Sequence, residues 1–321
     1  MCMAVLAYYP HGAALHVGVG TLEAYTTAVF PLTSPEQLFP WLEAAGISPD
    51  DVDFIVTSGT LPGSQPSGIY LFNPEAAAAH QGVEFCALLA ERLSSPVYLI
   101  DPASRADCHP QALVTGTPAL GRTCSADHFL FKFLARQEAA KRGLPQSEGR
   151  FIAAHLDEVH QLGAVVGTKV VDCLTSLEEG PFALRQSGGL PFDGVLELCS
   201  QHQGREEVLD ALNQNGGLHG YLGLERLEDL FDLQGEQADL VRQALVYQIA
   251  KEIGALAAVL EGKVDAVILS GELMRLPSFQ AELAQRVGFI APISVYPGNQ
   301  GVAALMAGAK RILDQEPIIL S

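Results

Sequence analysis

The first 91 residues contain no lysine and no arginine, and the first basic side chain is Arg92. Nine acidic residues lie in the same stretch. A domain built from this segment has no side-chain cation with which to grip a phosphate. Long apolar runs are also missing. No stretch of 18 apolar residues occurs, so no membrane-spanning helix is expected. The six cysteines (Cys2, Cys86, Cys108, Cys124, Cys173 and Cys199) have no paired spacing, which argues against a disulfide framework and for free thiols in a reducing cytoplasm. The amino terminus carries no basic segment, so residues 1–9 are expected to form a strand rather than a secretion signal. Positive charge is scarce throughout: the net charge is −18, which argues against nucleic acid and anionic membrane surfaces as partners.

The chain has 321 residues, 48% hydrophobic and 17% charged. That is enough to bury a sizeable core in two domains or one large one. The first third predicts strands at 4–8, 14–19 and 24–30, then a helix over 34–45 with Ser34 as cap and Pro35 in its first turn. A strand at 53–56, a helix over 73–93 and a strand at 97–100 follow. Three strands, helix, strand, helix, strand is the order of one ribonuclease-H-like half. Residues 108–148 read as loop and helix. The order then repeats, with strands at 150–156, 162–167 and 170–174. A helix over 236–260 has apolar positions Val241, Leu245, Ile249, Ile253, Leu256 and Leu260 at a 3.6-residue period. Strand 263–270, helix 277–287, strand 293–296 and helix 299–313 complete the second half. The expected fold is α/β, with two ribonuclease-H-like (actin-like ATPase) domains and a cleft between them. The domains are placed at 1–148 and 149–321, with helix 299–313 able to pack back on the first.

Several motifs of the second half occur together. Glu179-Gly180-Pro181-Phe182 precedes Ser187-Gly188-Gly189-Leu190-Pro191. Gly216-Gly217-Leu218 precedes Tyr221-Leu222-Gly223, and Tyr247-Gln248-Ile249-Ala250-Lys251-Glu252 lies in the long helix. In this order they resemble the butyrate kinases of the acetate and butyrate kinase family. The resemblance is dense over 151–313 and thinner before it, at Ser67-Gly68-Ile69-Tyr70 and Ile100-Asp101-Pro102. It implies a dimeric phosphotransferase that moves a phosphoryl group between ATP and a short-chain carboxylate with magnesium.

The same resemblance marks what is missing. The family's first phosphate loop is rich in hydroxyls and has a lysine; here Tyr9-Pro10-His11-Gly12-Ala13-Ala14 stands in its place. Two cleft arginines of the family match Ser58 and Gln186, with Arg185 one residue away from the second. A glycine trio that cradles phosphates matches Asp157, Glu158 and Val159. Bare glycine N–H groups favour anions, whereas a carboxylate repels them. At roughly 4 Å the repulsion is about 1 kcal/mol in water and about 4 kcal/mol at an effective dielectric near 20. A phosphoryl-transfer transition state depends on cationic stabilisation, and serine and glutamine supply none.

The resemblance leaves Asp107, His128, His155 and Arg185 at remnant catalytic positions. It places Gly12, Asp157, Glu158, Gly163, Gly271 and Glu272 along the cleft. His155, Asp157, Glu158 and His160 are metal-competent residue types. On a strand, however, they alternate between faces, so a solvated acidic turn without metal is expected. Tyr8-Tyr9-Pro10-His11 reads as packing at a strand end, 225–232 as an amphipathic surface helix, and Gly216-Gly217 as a turn allowing close packing. The expectation is a cytoplasmic, non-catalytic relative that uses no cofactor and serves as a subunit or a sensor of a small carboxylate or acyl compound. It would be a homodimer through helix 236–260, with an intact acyl kinase as a possible hetero-partner. The alternative is a divergent carboxylate kinase using Mg-ATP.

Overall fold

The computed structural model describes residues 3–60, 65–73 and 84–320. It contains strands β1 (Ala4–His11), β2 (Ala14–Gly20) and β3 (Tyr25–Pro31), helix α1 (Leu38–Ala44), and strands β4 (Val52–Thr57) and β5 (Ile69–Leu71). Helix α2 (Glu84–Leu93), β6 (Val97–Ile100) and helix α3 (His128–Arg142) follow. The second run is β7 (Arg150–Leu156), β8 (His160–Val166), β9 (Lys169–Thr175), α4 (Phe192–Gln201), α5 (Arg205–Asn213) and α6 (Gly217–Leu222). It continues with α7 (Glu236–Val259), β10 (Ala266–Gly271), α8 (Pro277–Val287), β11 (Ile293–Pro297), α9 (Gly301–Leu313) and β12 (Ile318–Leu320). The chain forms two compact units, one of Met1–Leu134 with Gln300–Ser321 and one of Ala135–Asn299. Among the described residues, no helix is long and apolar enough to cross a membrane.

Each unit is built on a mixed sheet. The first has the order β12-β5-β6-β4-β1-β2-β3 and the second β11-β10-β7-β8-β9. Both contain an antiparallel three-strand meander whose first strand pairs in parallel with a later one, β1 with β4 and β7 with β10. This shared core is the duplication that the element order predicts.

In the first unit α9 packs its buried Val302, Leu305, Met306 and Ala309 on the sheet. Its approach depends on two glycines. A Cβ on Gly301 would lie 2.1 Å from Tyr9 Cδ1, and one on Gly308 would lie 2.5 Å from Ile100. Strand β12, with no counterpart in the sequence reading, pairs with β5 and extends the sheet edge.

The core of the second unit lies between its sheet and α7, whose Val241, Leu245, Ile249, Ile253 and Leu256 are buried. At one side of this unit the buried Glu138 carboxylate of α3 accepts hydrogen bonds from Ser294 Oγ (2.7 Å), Tyr296 Oη (2.8 Å) and Arg142 Nε. Burial alone would raise the Glu138 carboxyl, but these bonds and the guanidinium charge outweigh it and hold the group below the usual range. Burial, then the bond to Glu138 and its charge, push the Tyr296 phenol up to about 12.

Several expectations need correction. The helix expected over 34–45 opens as a 3-10 turn, Pro35–Gln37, and becomes α-helical at Leu38 with no side-chain cap. Pro40 is the cause, because a helix running from 34 would need the N–H that proline lacks. The start of the helix expected over 73–93 lies largely outside the described residues. Segment 225–232 is a 3-10 turn, Leu227–Phe231, with Leu227 and Leu230 buried. Gly217 does allow close packing: its φ is +58°, and a Cβ would strike the Ala183 carbonyl oxygen. Cys108, Cys124, Cys173 and Cys199 carry free thiols.

Candidate functional site

In the second unit the pairing of Leu156 with His160 leaves a three-residue turn, 157–159, between β7 and β8. The turn is not the solvated one expected. Asp157 is buried, as are His155 and His160. The Asp157 carboxylate folds back onto the protein: Oδ1 accepts the Glu158 N–H at 2.8 Å, and Oδ2 accepts Asn299 Nδ2 at 3.1 Å. His155 Nε2 lies 3.6 Å from the same Oδ2, while its Nδ1 is 2.9 Å from Ser270 Oγ. The Glu158 carbonyl accepts the Leu184 N–H at 3.4 Å, tying the turn to the loop that carries Arg185 and Gln186.

Gly271 ends β10 beside this turn. Its φ is +101°, and a Cβ would lie 2.5 Å from the Leu156 carbonyl carbon, so only glycine fits. Glu272 accepts the Asn299 N–H at 3.2 Å and pairs with Arg275 at 2.8 Å. His155, Asp157, Glu158, Gly271 and Glu272 are therefore brought together, with Asn299 and Ser270 added. Gly163 is not at the turn. It lies in the middle of β8, paired with Ala153 and Cys173. Arg185 pairs with Glu225 and donates to the Gln214 carbonyl at 3.3 Å. Gln186 diverges from it, donating to the Asn213 carbonyl at 3.4 Å, and its buried Oε1 has no hydrogen-bond partner among the described residues.

In the first unit the equivalent β1–β2 turn is two residues, Gly12 and Ala13. Gly12 has φ +58° and supplies the left-handed corner of this tight hairpin. The strand end beside it is knotted internally. Tyr9 Oη lies 2.6 Å from His11 Nδ1 and donates to Asp127 Oδ2 at 2.6 Å.

Asp107 and His128 also meet in the first unit. His128 is fully buried. Its Nδ1 accepts the Ser104 N–H at 3.3 Å, and the ring bonds the Cys124 backbone. Burial first, and then the Lys132 charge, lower its pKa to about 4, so the ring is neutral near pH 7 and serves as a fixed bridge. Asp107 accepts Lys132 Nζ at 2.7 Å and the Ser67 hydroxyl. Lys132 was not singled out from the sequence, although a signal exists: it is the one charge in His128-Phe-Leu-Phe-Lys132-Phe-Leu134. A lone charge in an apolar helix is buried only with a partner.

The profile described as the Acetokinase family matches residues 126–275. A probable butyrate kinase 2 of Caldanaerobacter subterraneus subsp. tengcongensis is 32% identical over 311 residues, spanning 92% of this chain and 88% of that protein. The chain belongs to the acetokinase family. A probable butyrate kinase of Enterococcus faecalis is 31% identical over 278 residues, 82% of this chain and 77% of its own. Among solved structures, Porphyromonas gingivalis acetate kinase superposes with TM-score 0.76 at 14% identity, covering 98% of this chain and all (100%) of that one. A propionate kinase of Francisella tularensis subsp. tularensis superposes with TM-score 0.76 at 14% identity, over 95% and 98%. The fold is thus that of the acetate kinases, the paired actin-like fold expected. Within this acetokinase fold, the turn between β7 and β8 is held by the protein's own carboxylate.

Proposed function

We propose that this acetokinase-family chain has left ATP chemistry and acts as a non-catalytic subunit or a sensor of a small carboxylate or acyl compound. The observation that carries the reading is Asp157. Its carboxylate takes the Glu158 N–H and the Asn299 amide, donors of the kind that would otherwise face an anion. A phosphate entering there would displace a buried, hydrogen-bonded carboxylate and meet its charge. Three further features support the reading. Gln186 stands where the family resemblance expects an arginine, Ser58 stands at the other such position, and the Gly12–Ala13 turn has neither hydroxyl nor lysine. A magnesium–nucleotide complex does not fit this set of residues.

The second reading is a divergent kinase that transfers the γ-phosphoryl group of ATP to a short-chain carboxylate, giving an acyl phosphate and ADP. The 32% identity to a probable butyrate kinase over most of the chain favours it. In that case Asp157 and Glu158 would have to turn outward and hold the magnesium ion. A coupled assay with ATP, magnesium and C2–C5 acids separates the two: sustained acyl phosphate formation supports the kinase and removes the non-catalytic reading.

The proposal includes a cytoplasmic homodimer built on α7, with an intact acyl kinase as a possible hetero-partner. Helix α7 supports the dimer by leaving Leu240 and Tyr247 well exposed while its other face is buried. Light scattering that returns a monomer at micromolar concentration would remove the dimer.

A further inference from the structure

Lys132 sits among buried charges of the first unit. Lys132 Nζ sits 2.7 Å from Asp107 Oδ2 and 3.7 Å from Asp101 Oδ1, and it donates to the Ser67 hydroxyl. All three charged side chains are almost fully buried, the lysine at 3% exposure. Arg311 of α9 pairs with the other side of Asp101. Asp101 has a left-handed backbone, φ 39°. Two carboxylates and a hydroxyl converging on one point are the all-oxygen donor set that a hard divalent cation takes. Here an ammonium group occupies that point.

We propose that Lys132 is a built-in cation standing where a divalent metal ion would otherwise sit between Asp101, Asp107 and Ser67. Lys132 together with Arg311 supplies the two positive charges that the buried carboxylates require, so the first unit assembles without a metal. An ion cannot share the place, because it would meet the ammonium charge in a poorly solvated pocket. Ser67 is held by the same group, so Lys132 also fixes the segment 65–68 against the loop that follows β6. The inference deepens the non-catalytic reading, yet its test uses no nucleotide, so either can fail alone.

The test is thermal unfolding of the full chain with magnesium or manganese chloride, against sodium chloride at matched ionic strength. The natural protein should not respond. Lys132→Ala should melt lower and then gain a saturable rise of roughly 4 °C by about 10 mM divalent ion. Adding Asp107→Asn to that variant should abolish the gain. A Lys132→Ala protein that folds only with the divalent ion gives the same support. If it folds under neither condition, Lys132→Gln is read by the same criteria. A folded lysine variant indifferent to divalent ions would overturn the proposal. So would a natural protein that rises as far as the variant.

Discussion

The two hairpin turns that open the two units have one topology and two different chemistries. The β7–β8 turn is filled from within, because the Asp157 carboxylate takes the turn's Glu158 N–H and the side-chain amide of Asn299. The β1–β2 turn is shortened to Gly12 and Ala13, and its strand end is closed by the Tyr9–His11–Asp127 knot. One turn is filled by a buried side chain of its own, while the other is a tight two-residue hairpin. The difference shows that a duplicated scaffold can close the corresponding hairpin in two ways, with a buried carboxylate in one unit and with a tight turn in the other.

That contrast can be broken from either side. The largest effect should lie near the first unit's buried histidine. His128 has a folded pKa of about 4 against an ordinary 6.5. The folded value is the lower one, so its contribution is complete above pH 6.5 and is lost as pH falls through about 4. The loss amounts to roughly 3 kcal/mol. Urea unfolding at pH 7 and at pH 4 should show that additional loss in the natural protein relative to His128→Gln. Equal pH slopes for the two proteins would refute the bridging role.

In the second unit, Asp157→Ala strands the Glu158 N–H and the Asn299 amide and should cost about 2 kcal/mol in urea unfolding. A stabilised Asp157→Ala protein would mean that the carboxylate is strained in place for a ligand. In the first unit, Asp127→Ala removes the acceptor of the Tyr9 hydroxyl, and a loss of about 1 kcal/mol is expected. If that loss exceeds the Asp157 effect, the ranking of the two turns is reversed. Arg185→Ala should cost less than about 1 kcal/mol, since its pair with Glu225 is partly solvated. A multi-kilocalorie loss would give Arg185 a role that its geometry does not.

Much of this fold is legible in the residue order. The meanders and the later strands follow from short, nearly continuous apolar segments, and α7 from its 3.6-residue period. What the order does not show is what closes a site. Asp157 looks like a solvated turn residue because burial depends on neighbours such as Asn299, which is 142 positions away. Gly163, expected along the cleft, lies within β8, the strand that the residue order places at 162–167. Lys132 illustrates the opposite case. Its isolation among aromatic and aliphatic neighbours marks it as a buried partnered charge, but the identity of its partners, Asp101, Asp107 and Ser67, is set by the sheet.

The central claim is that the β7–β8 turn no longer accepts a phosphate because Asp157 occupies it. The most direct measurement is a calorimetric titration with ATP, with and without magnesium, of the natural protein and of Asp157→Gly with Glu158→Gly. The account predicts a dissociation constant weaker than about 1 mM for the natural protein under both conditions, with any gain in affinity confined to the glycine variant. Micromolar magnesium-dependent binding by the natural protein that the glycine variant loses would contradict it and make the two carboxylates metal ligands.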